Sequence, residues 1–223
     1  MSNLSYMQKA TDRGQLQIHV TTERGFFPIK DASIRLSYTG NPTEIIEELS
    51  TDISGQTAAV ELPAPPLEYS MEPSEFQPYS EYTIQVNASG YRPINISGIS
   101  VLPDKTSIQN VRMETATVEN PLERNIVITA NTLYGNFPPK IPEDEIKPMT
   151  ESGEIVLSRV VIPEYVIVHD GPPSDSSAND YYVRYRDYIK NVASSEIYAT
   201  WPDAALRANI LAIMSFTLNR VYT

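Results

Sequence analysis

Short runs of alternating apolar and polar residues dominate the first half of the chain. The apolar positions of these runs are Leu16, Ile18 and Val20, then Ile34 and Leu36, then Thr57 to Leu62, then Tyr82, Ile84 and Val86, then Ile94 and Ile96, then Ile99 and Val101, and finally Ile108, Val111 and Met113. Because successive side chains of a strand point to opposite faces, each run predicts a strand with one face in a core. About seven short strands with turn residues between them are typical of an antiparallel β-sandwich of about 100 residues.

The turns and strand starts of this half follow a recognisable order. The sequence reads Asp-Ala-x-Ile-x-Leu from Asp31, Thr-Asp-x-x-Gly-Gln from Thr51, and Tyr-x-Ile-x-Val-x-Ala-x-Gly-Tyr from Tyr82. This order resembles the carboxypeptidase regulatory-like domain, which is a transthyretin-like sandwich. The resemblance implies a fold for residues 14–115 and no chemistry, because these motifs belong to strands and turns.

The composition changes after the predicted sandwich. Residues 116–160 hold one more alternating run at Asn125, followed by Phe137-Pro-Pro-Lys-Ile-Pro and further prolines. Proline fixes φ and lacks an N–H donor, so this stretch predicts an extended linker or pro-region. We therefore expect a tail at residues 1–13, a sandwich at 14–115, a linker at 116–160 and the N-terminal part of a second domain at 161–223.

The second domain begins with strand signals and ends with helix signals. Val166-Ile167-Val168 predicts a strand covered on both faces, and Tyr181-Tyr-Val-Arg-Tyr predicts a second strand. Apolar residues at helical spacing then predict two helices with a short joint between them. The apolar positions of the first helix are Tyr188, Ile189, Val192 and Ala193, and those of the second are Leu206, Ile210, Ile213, Met214, Thr217 and Val221.

Glu196 continues the apolar face of the first predicted helix, since it lies four residues after Val192 and seven after Ile189. A carboxyl group at the end of an apolar stripe is expected to be partly desolvated, and desolvation favours the protonated form that a general acid needs. The alternative is a solvated carboxylate at a helix end, which is the more common place for an acidic residue. Spacing leaves both interpretations open.

The residues of these two predicted helices show a second resemblance to a known family. Tyr188-Ile-Lys-Asn-Val-Ala-Ser-Ser-Glu-Ile, followed by Trp201-Pro-Asp-Ala-Ala-Leu-Arg-Ala-Asn, resembles the signature of the stage II sporulation protein D family, and most of all its spore cortex-lytic enzymes. The resemblance implies a partial α/β catalytic domain, and it places the catalytic acid of a lytic transglycosylase on Glu196. Ala204 and Met214 depart from the family pattern, which has Glu and often Arg at those positions. The expected fold class is therefore α+β overall.

Five residues are candidates for contact with a sugar substrate. Aromatic faces suit pyranose rings, and a polar side chain next to the acid or at a strand end can reach a cleft. The candidates are Tyr188, Ser195, Tyr198, Trp201 and His169. Tyr188 and Trp201 can equally be core residues, and His169 can simply end its strand.

The cortex-lytic enzymes that the chain resembles are activated by removal of an N-terminal pro-region. The equivalent cut would fall near Val156, Leu157, Ser158 and Arg159, made by a germination protease. An ordinary interdomain linker is the alternative interpretation, because exposed linkers are cut readily whatever their role.

The net charge and the composition limit the kinds of molecule that this chain is expected to bind. The net charge of −11 argues against nucleic acid and against an anionic membrane, since both attract clustered Lys and Arg. The absence of cysteine excludes disulfides and thiolate ligands, and neither of the two histidines has metal-ligand spacing to other donors. We expect no metal and no cofactor. The first residues lack the apolar region of a signal peptide, so a cytoplasmic start is expected. The resemblance to cortex-lytic enzymes implies a spore protein, which would need no export signal if it is made inside the mother cell.

The expected function is cleavage of spore-cortex peptidoglycan glycan strands by lytic transglycosylation during germination, from a proenzyme. The sequence ends at Thr223, within or just after the second predicted helix. The catalytic domains of the family that it resembles continue beyond this point. The alternative is a non-catalytic peptidoglycan-associated or amidase-enhancing module, or an inactive fragment.

Overall fold

The computed structural model describes residues 12–72, 76–117, 122–131, 133, 161–172 and 174–222. The chain divides into two compact units, Met1–Tyr134 and Gly135–Thr223. The elements of the first unit are β1 (Asp12–Thr22), β2 (Ser33–Tyr38), β3 (Asn41–Ser50), β4 (Val60–Ala64), α1 (Glu68–Met71), β5 (Ser80–Asn87), β6 (Ile94–Val101), β7 (Thr106–Met113) and β8 (Arg124–Val127). Those of the second unit are β9 (Tyr165–His169), β10 (Asp180–Arg184), α2 (Tyr185–Ser194) and α3 (Asp203–Tyr222).

The first unit is a β-sandwich of two sheets. One sheet has the strand order β4-β1-β7 and the other has the order β3-β2-β5-β6-β8. The predicted α+β class is confirmed, as is the sandwich. The sheets are mixed, however, because β1 pairs with β7 and β6 pairs with β8 in parallel. An alternating pattern shows which face of a strand is buried but not which way its neighbour runs, so the purely antiparallel prediction was wrong on these two pairs.

The alternating apolar residues of both sheets form a single core. Leu16, Ile18 and Val20 of β1 and Tyr82 and Ile84 of β5 are fully buried. The Tyr82 hydroxyl donates a 2.7 Å hydrogen bond to the Pro63 carbonyl, which joins the five-stranded sheet to β4 of the other sheet. Burial is the main cause that raises the pKa of Tyr82. The hydroxyl is thereby kept as a neutral donor.

The two apolar runs at 94–96 and 99–101 belong to one strand. The buried positions of β6 change parity after Gly98, and the register with β5 shifts between Tyr82 and Ile84. Gly98 lies at this irregularity with φ +83°. An inserted residue in a left-handed conformation is a β-bulge, which moves the inward face by one position. The sequence pattern predicted two strands here because the bulge changes which positions face the core. The structure has one strand with a bulge at Gly98.

Strand β3 was missed by the sequence pattern. It is an edge strand of the five-stranded sheet, and its residues Ile45 and Ile46 are each 39% exposed. Edge strands commonly carry charged side chains that discourage pairing with other chains. Glu44, Glu47 and Glu48 interrupt any apolar alternation, so the run Asn41–Ser50 carries little signal for a strand.

Strand β8 lies inside the predicted linker, residues 116–160. It pairs with β6 from Ile94↔Arg124 to Ser97↔Val127, and Ile126 packs against the core. The Glu114 carboxylate bonds both Arg92 (3.1 Å) and Arg124 (2.8 Å), which ties the end of β7 to the start of β8. The sandwich therefore continues past residue 115.

The second unit is a hairpin followed by two helices. β9 and β10 pair antiparallel, with His169 opposite Asp180, and α2 starts directly after β10. Its core consists of Val166, Tyr185, Ile189 and Ile213. The two helices are confirmed, but Ile167 is 59% exposed, so the prediction that both faces of β9 are covered was wrong.

The predicted buried face of α3 is only partly buried. Ile213 and Thr217 are buried, whereas Ile210 and Val221 are exposed. Among the helices that the structure describes, none is both long enough and apolar enough to span a membrane.

Candidate functional site

Glu196 lies in the joint between the two helices of the second unit. α2 ends at Ser194, and the Glu196 N–H donates to the Ala193 carbonyl at 3.1 Å. The Ser195 N–H and hydroxyl both donate to the Asn191 carbonyl. These bonds satisfy carbonyls that a helix end otherwise leaves without donors. The joint is thus a defined turn that fixes the backbone from which the Glu196 side chain projects.

The Glu196 carboxylate is exposed rather than desolvated. The apolar stripe of α2 ends with the helix, so the carboxylate extends beyond that face instead of being buried by it. The expectation that this carboxyl group would be partly buried at the end of an apolar stripe was therefore wrong. Of the two alternatives left open by the spacing, the structure has the solvated carboxylate.

One side chain from the second helix bonds Glu196. The Asn209 Nδ2 donates to Glu196 Oε2 at 2.7 Å, across thirteen residues of sequence. The amide oxygen of Asn209 is buried and has no hydrogen-bond partner among the residues that the structure describes. Since Asn209 lies in the middle of α3, it holds the carboxylate against a rigid element. The bond joins the two halves of the motif that the sequence analysis singled out.

Asn209 was not chosen as a site residue from the sequence. It occupies the position of a Gln in the family pattern that the helix pair resembles, and this match was the available signal. Gln and Asn present the same amide at different reach, so a role as a donor could have been inferred. The residue that it contacts could not, because the contact depends on how the two helices pack.

The predicted sugar contacts have different surroundings. Tyr198 is 6% exposed, which is too little for a pyranose to stack on its ring, so that interpretation was wrong. Tyr188 is half-buried and packs against the core of the second unit, in line with the core alternative. Trp201 is also half-buried, while Ser195 is exposed with its hydroxyl bonded to Asn191.

His169 ends β9, where it faces the start of β10. Its Nδ1 is 2.9 Å from Asp180 Oδ1, and its Nε2 is 3.0 Å from the Pro172 carbonyl oxygen. The carboxylate of Asp180 is the main cause that raises the pKa of His169 above its ordinary value. The imidazole therefore holds the hairpin, and both of its nitrogens are already in use.

An apolar cavity of about 620 Å³ lies on the second unit between α2 and α3. Its lining includes Ile162, Tyr185, Ile189, Leu206, Ile210 and Met214, and Glu196 is not among the lining residues. The Tyr185 hydroxyl is buried without a partner in the described part of the chain. Burial raises the pKa of Tyr185, with a smaller contribution from Tyr188. The cavity and the acid are therefore separate features of this unit.

The predicted processing region, Val156, Leu157, Ser158 and Arg159, lies outside the described residues. Within the described ranges, no group of three or more His, Asp or Glu side chains is placed to hold a metal ion. Asp187 is exposed on α2, and Asp203 is the first residue of α3, where a carboxylate favours the helix dipole.

Comparisons with known proteins add little to this geometry. No protein-family model matches the sequence, and no curated protein matches it. Similar solved structures include the TIE protein of Bacillus anthracis, at 17% identity over 47% of this chain and 17% of that chain, with a TM-score of 0.32. The minor pilin of Streptococcus agalactiae has 13% identity over 48% of this chain and 46% of that one, with a TM-score of 0.34. The 5-hydroxyisourate hydrolase of Klebsiella pneumoniae has 15% identity over 47% and 92%, with a TM-score of 0.31.

The chain spans less than half the length of the first two of these proteins, 17% and 46%. TM-scores this low carry no argument about function. The sandwich is therefore assigned from its own strand order and core.

Proposed function

We propose that this chain cleaves the glycan strands of spore-cortex peptidoglycan by lytic transglycosylation, with Glu196 as its single acid and base. The observation that carries the proposal is the 2.7 Å hydrogen bond from Asn209 to Glu196. It unites the two sequence motifs that resemble the stage II sporulation protein D signature around one exposed carboxyl group. A glycan strand is long and polymeric, so an acid that stands at the surface is accessible to it.

One carboxyl group is enough for this reaction. Glu196 in its protonated form donates a proton to the glycosidic oxygen while the bond from C1 of the muramoyl sugar breaks. The C6 hydroxyl of the same sugar attacks C1, and its proton returns to Glu196. The products are a 1,6-anhydromuramoyl end and a free hydroxyl on the leaving sugar. The reaction as written consumes no water and uses neither a metal nor a second carboxylate. An ordinary glycosidase, in contrast, uses two carboxyl groups and a water.

Asn209 is the positioning residue in this proposal. Its amide fixes one oxygen of Glu196, so the other oxygen is available to the substrate. Asn209→Ala removes this positioning of the acid and is therefore expected to lower the rate by about tenfold or more while leaving glycan binding in place.

The sandwich would act as the pro-region, and a germination protease would separate it near residues 156–159. The residues there are outside the described structure, so this part of the proposal rests on the sequence resemblance. Spore localisation rests on the same resemblance.

A digest of purified spore-cortex peptidoglycan tests the reaction. The intact chain, the chain cut between its two units, Glu196→Gln and Asp187→Asn are each incubated with the substrate, and the products are analysed by mass spectrometry. Asp187→Asn is the matched control, because it removes the same charge from an exposed site on the same helix pair. Anhydromuramoyl ends that disappear in Glu196→Gln and persist in Asp187→Asn support the proposal.

Two results would count against it. Reducing ends in place of anhydro ends would mean hydrolysis, and therefore a second carboxyl group. Anhydro ends that persist in Glu196→Gln would assign the chemistry to another residue. If activity appears only after the cut, the sandwich is an inhibitory pro-region.

A second function is favoured by one observation, the exposure of Glu196 outside the cavity of its own unit. A chain without a catalytic cleft can still bind peptidoglycan or enhance an amidase. In that case sedimentation with insoluble peptidoglycan would be unchanged by Glu196→Gln, and no chain, cut or intact, would release anhydro products.

A further inference from the structure

The connection between β9 and β10 is fastened by one imidazole ring. His169 is the last residue of β9, and its cross-strand partner Asp180 is the first residue of β10. The ring reaches Asp180 Oδ1 through Nδ1 at 2.9 Å and the Pro172 carbonyl oxygen through Nε2 at 3.0 Å. One side chain therefore bridges the base of the hairpin and the first turn of the connection.

Both partners of the ring are hydrogen-bond acceptors. A carbonyl oxygen can only accept, and an ionised carboxylate can only accept. A neutral imidazole has a single N–H and can satisfy one of the two, whichever tautomer it takes. The imidazolium ion has two N–H groups and satisfies both. The geometry is therefore complete only when His169 is protonated.

The charged groups that face the ring also favour the cation. They are the Asp180 carboxylate, from β10, and the Asp175 carboxylate, from the connection, and the Asp175 backbone adds a further favourable contribution to the cation. Two hydrogen bonds from Ser177, through its hydroxyl (2.6 Å) and its N–H (2.9 Å), lower the pKa of Asp175 and keep it ionised. The Asp175 N–H in turn donates to the Pro172 carbonyl at 2.9 Å, so the same carbonyl joins the ring and the acid.

We propose that His169 is a pH-sensitive clamp, whose imidazolium form ties Asp180 to Pro172 and whose neutral form releases one of them. This inference is independent of the proposed catalytic role of Glu196. Because the pKa of His169 is raised in the folded chain above its ordinary value of 6.5, the clamp is fully closed below pH 6.5. It opens as the pH rises through the raised pKa, and the stabilisation that it contributes is lost over that window.

Imidazole NMR on the full chain tests the clamp. The chain has only two histidines, His19 and His169, so His19→Gln assigns the signals. We expect the His169 midpoint to lie above 6.5, with both ring nitrogens protonated below it. Asp180→Asn is expected to move the midpoint down towards 6.5, because it removes the carboxylate but keeps the shape. Asp170→Asn is the matched control, since it removes a neighbouring exposed charge and leaves the ring hydrogen bonds in place.

A second measurement tests whether the connection between β9 and β10 changes when His169 loses its proton. The amide signals of Gly171 and Asp175 should shift with the same midpoint as the ring, and His169→Gln should remove that dependence on pH. A His169 midpoint at or below 6.5, or an Asp180→Asn effect no larger than that of Asp170→Asn, would overturn the clamp. Amide signals that ignore the midpoint would show that the ring titrates without holding the connection.

Discussion

The two units of this chain differ in the side chains that their strands present on the outer face. In β1 of the sandwich, Leu16, Ile18 and Val20 are fully buried, and the residues between them, Gln17 and His19, are polar and half-buried. In β9 of the second unit, Val166 is buried, whereas Ile167, next to it, is apolar and 59% exposed. Both strands therefore bury one face. The outer face is polar in β1 and apolar in β9, so an apolar side chain does not by itself show that its face is covered.

The difference extends to the cores. The sandwich core draws on six strands that lie far apart in sequence, whereas the core cluster of the second unit has four buried side chains among the residues that the structure describes. Among its described residues, the second unit leaves several large apolar side chains exposed, including Tyr182, Leu211 and Phe216. Buried apolar area is the main favourable term in folding. We therefore expect the sandwich to be the more stable unit, and the second unit to unfold first.

The only tryptophan, Trp201, lies in the second unit and makes the comparison measurable. Its fluorescence reports on that unit, while far-UV circular dichroism includes the strands of the sandwich. Denaturant unfolding followed by both probes should give two transitions. Coincident transitions would show that the two units unfold together.

The largest effect is expected for Ile84→Ala in the sandwich core. Ile84 is fully buried, so the substitution removes transfer free energy and leaves a cavity. The free energy of unfolding of the sandwich should fall by about 4 kcal/mol. Ile108→Ala is the control, because Ile108 is 54% exposed, and it should change stability by no more than about 0.5 kcal/mol. A shift of the Trp201 transition by Ile84→Ala would contradict independent units.

A smaller loss is expected at the bulge in β6. Gly98 and Gly90 have φ values of +83° and +84°, so alanine is strained at both. A Cβ atom on Gly98 would lie 2.4 Å from the Ile128 carbonyl oxygen, whereas one on Gly90 would meet nothing within 4 Å. Gly98→Ala should cost about 3 kcal/mol and Gly90→Ala about 1 kcal/mol by circular dichroism. Equal losses would mean that the Ile128 carbonyl, just after β8, does not limit the space beside Gly98.

Ile213→Ala tests the small core of the second unit. Ile213 is 7% exposed, but few side chains surround it, and an open neighbourhood can relax around the loss. The fluorescence transition should therefore lose about 2 kcal/mol, at the low end for such substitutions. Ile167→Ala, on the exposed face of β9, is the same chemical change and should have little effect. Comparable losses for both variants would show that the exposed face is covered in solution.

The smallest effect concerns the charges that hold β8. Glu114 is 26% exposed and bonds both Arg92 and Arg124, whereas the Arg35–Glu48 pair is well exposed. Glu114→Ala should destabilise the sandwich by about 1 kcal/mol, and Glu48→Ala by less than about 0.5 kcal/mol. Thermal unfolding of the two variants at low and at moderate salt distinguishes the two ion-pair sites, because salt screens mostly the exposed pair. No difference between the variants would mean that β8 is held by its backbone pairing alone.

The sequence predicted most of the sandwich because its strands alternate cleanly. It predicted the two strands and both helices of the second unit for the same reason, since each has its own periodicity, but it did not predict that the strands pair as a hairpin. It failed for β3, an edge strand whose acids mask any pattern. It noted the alternating run at Asn125 but placed this run, which contains β8, in a linker because of the prolines that follow. At the candidate site, the spacing left open whether the Glu196 carboxyl group is buried or exposed, and the structure has it exposed. A spacing argument assumes that the helix continues, and α2 ends two residues before Glu196.

What the sequence determined by itself was local: which residues form strands and helices, and which face of each is apolar. These follow from backbone sterics and from the periods of strands and helices, and both act over a few residues. Only the tertiary structure decided the parallel pairs β1–β7 and β6–β8, the bond from Asn209 to Glu196 and the two acceptors around His169. Each of these depends on where distant segments meet, and that position is set by the packing of the whole unit.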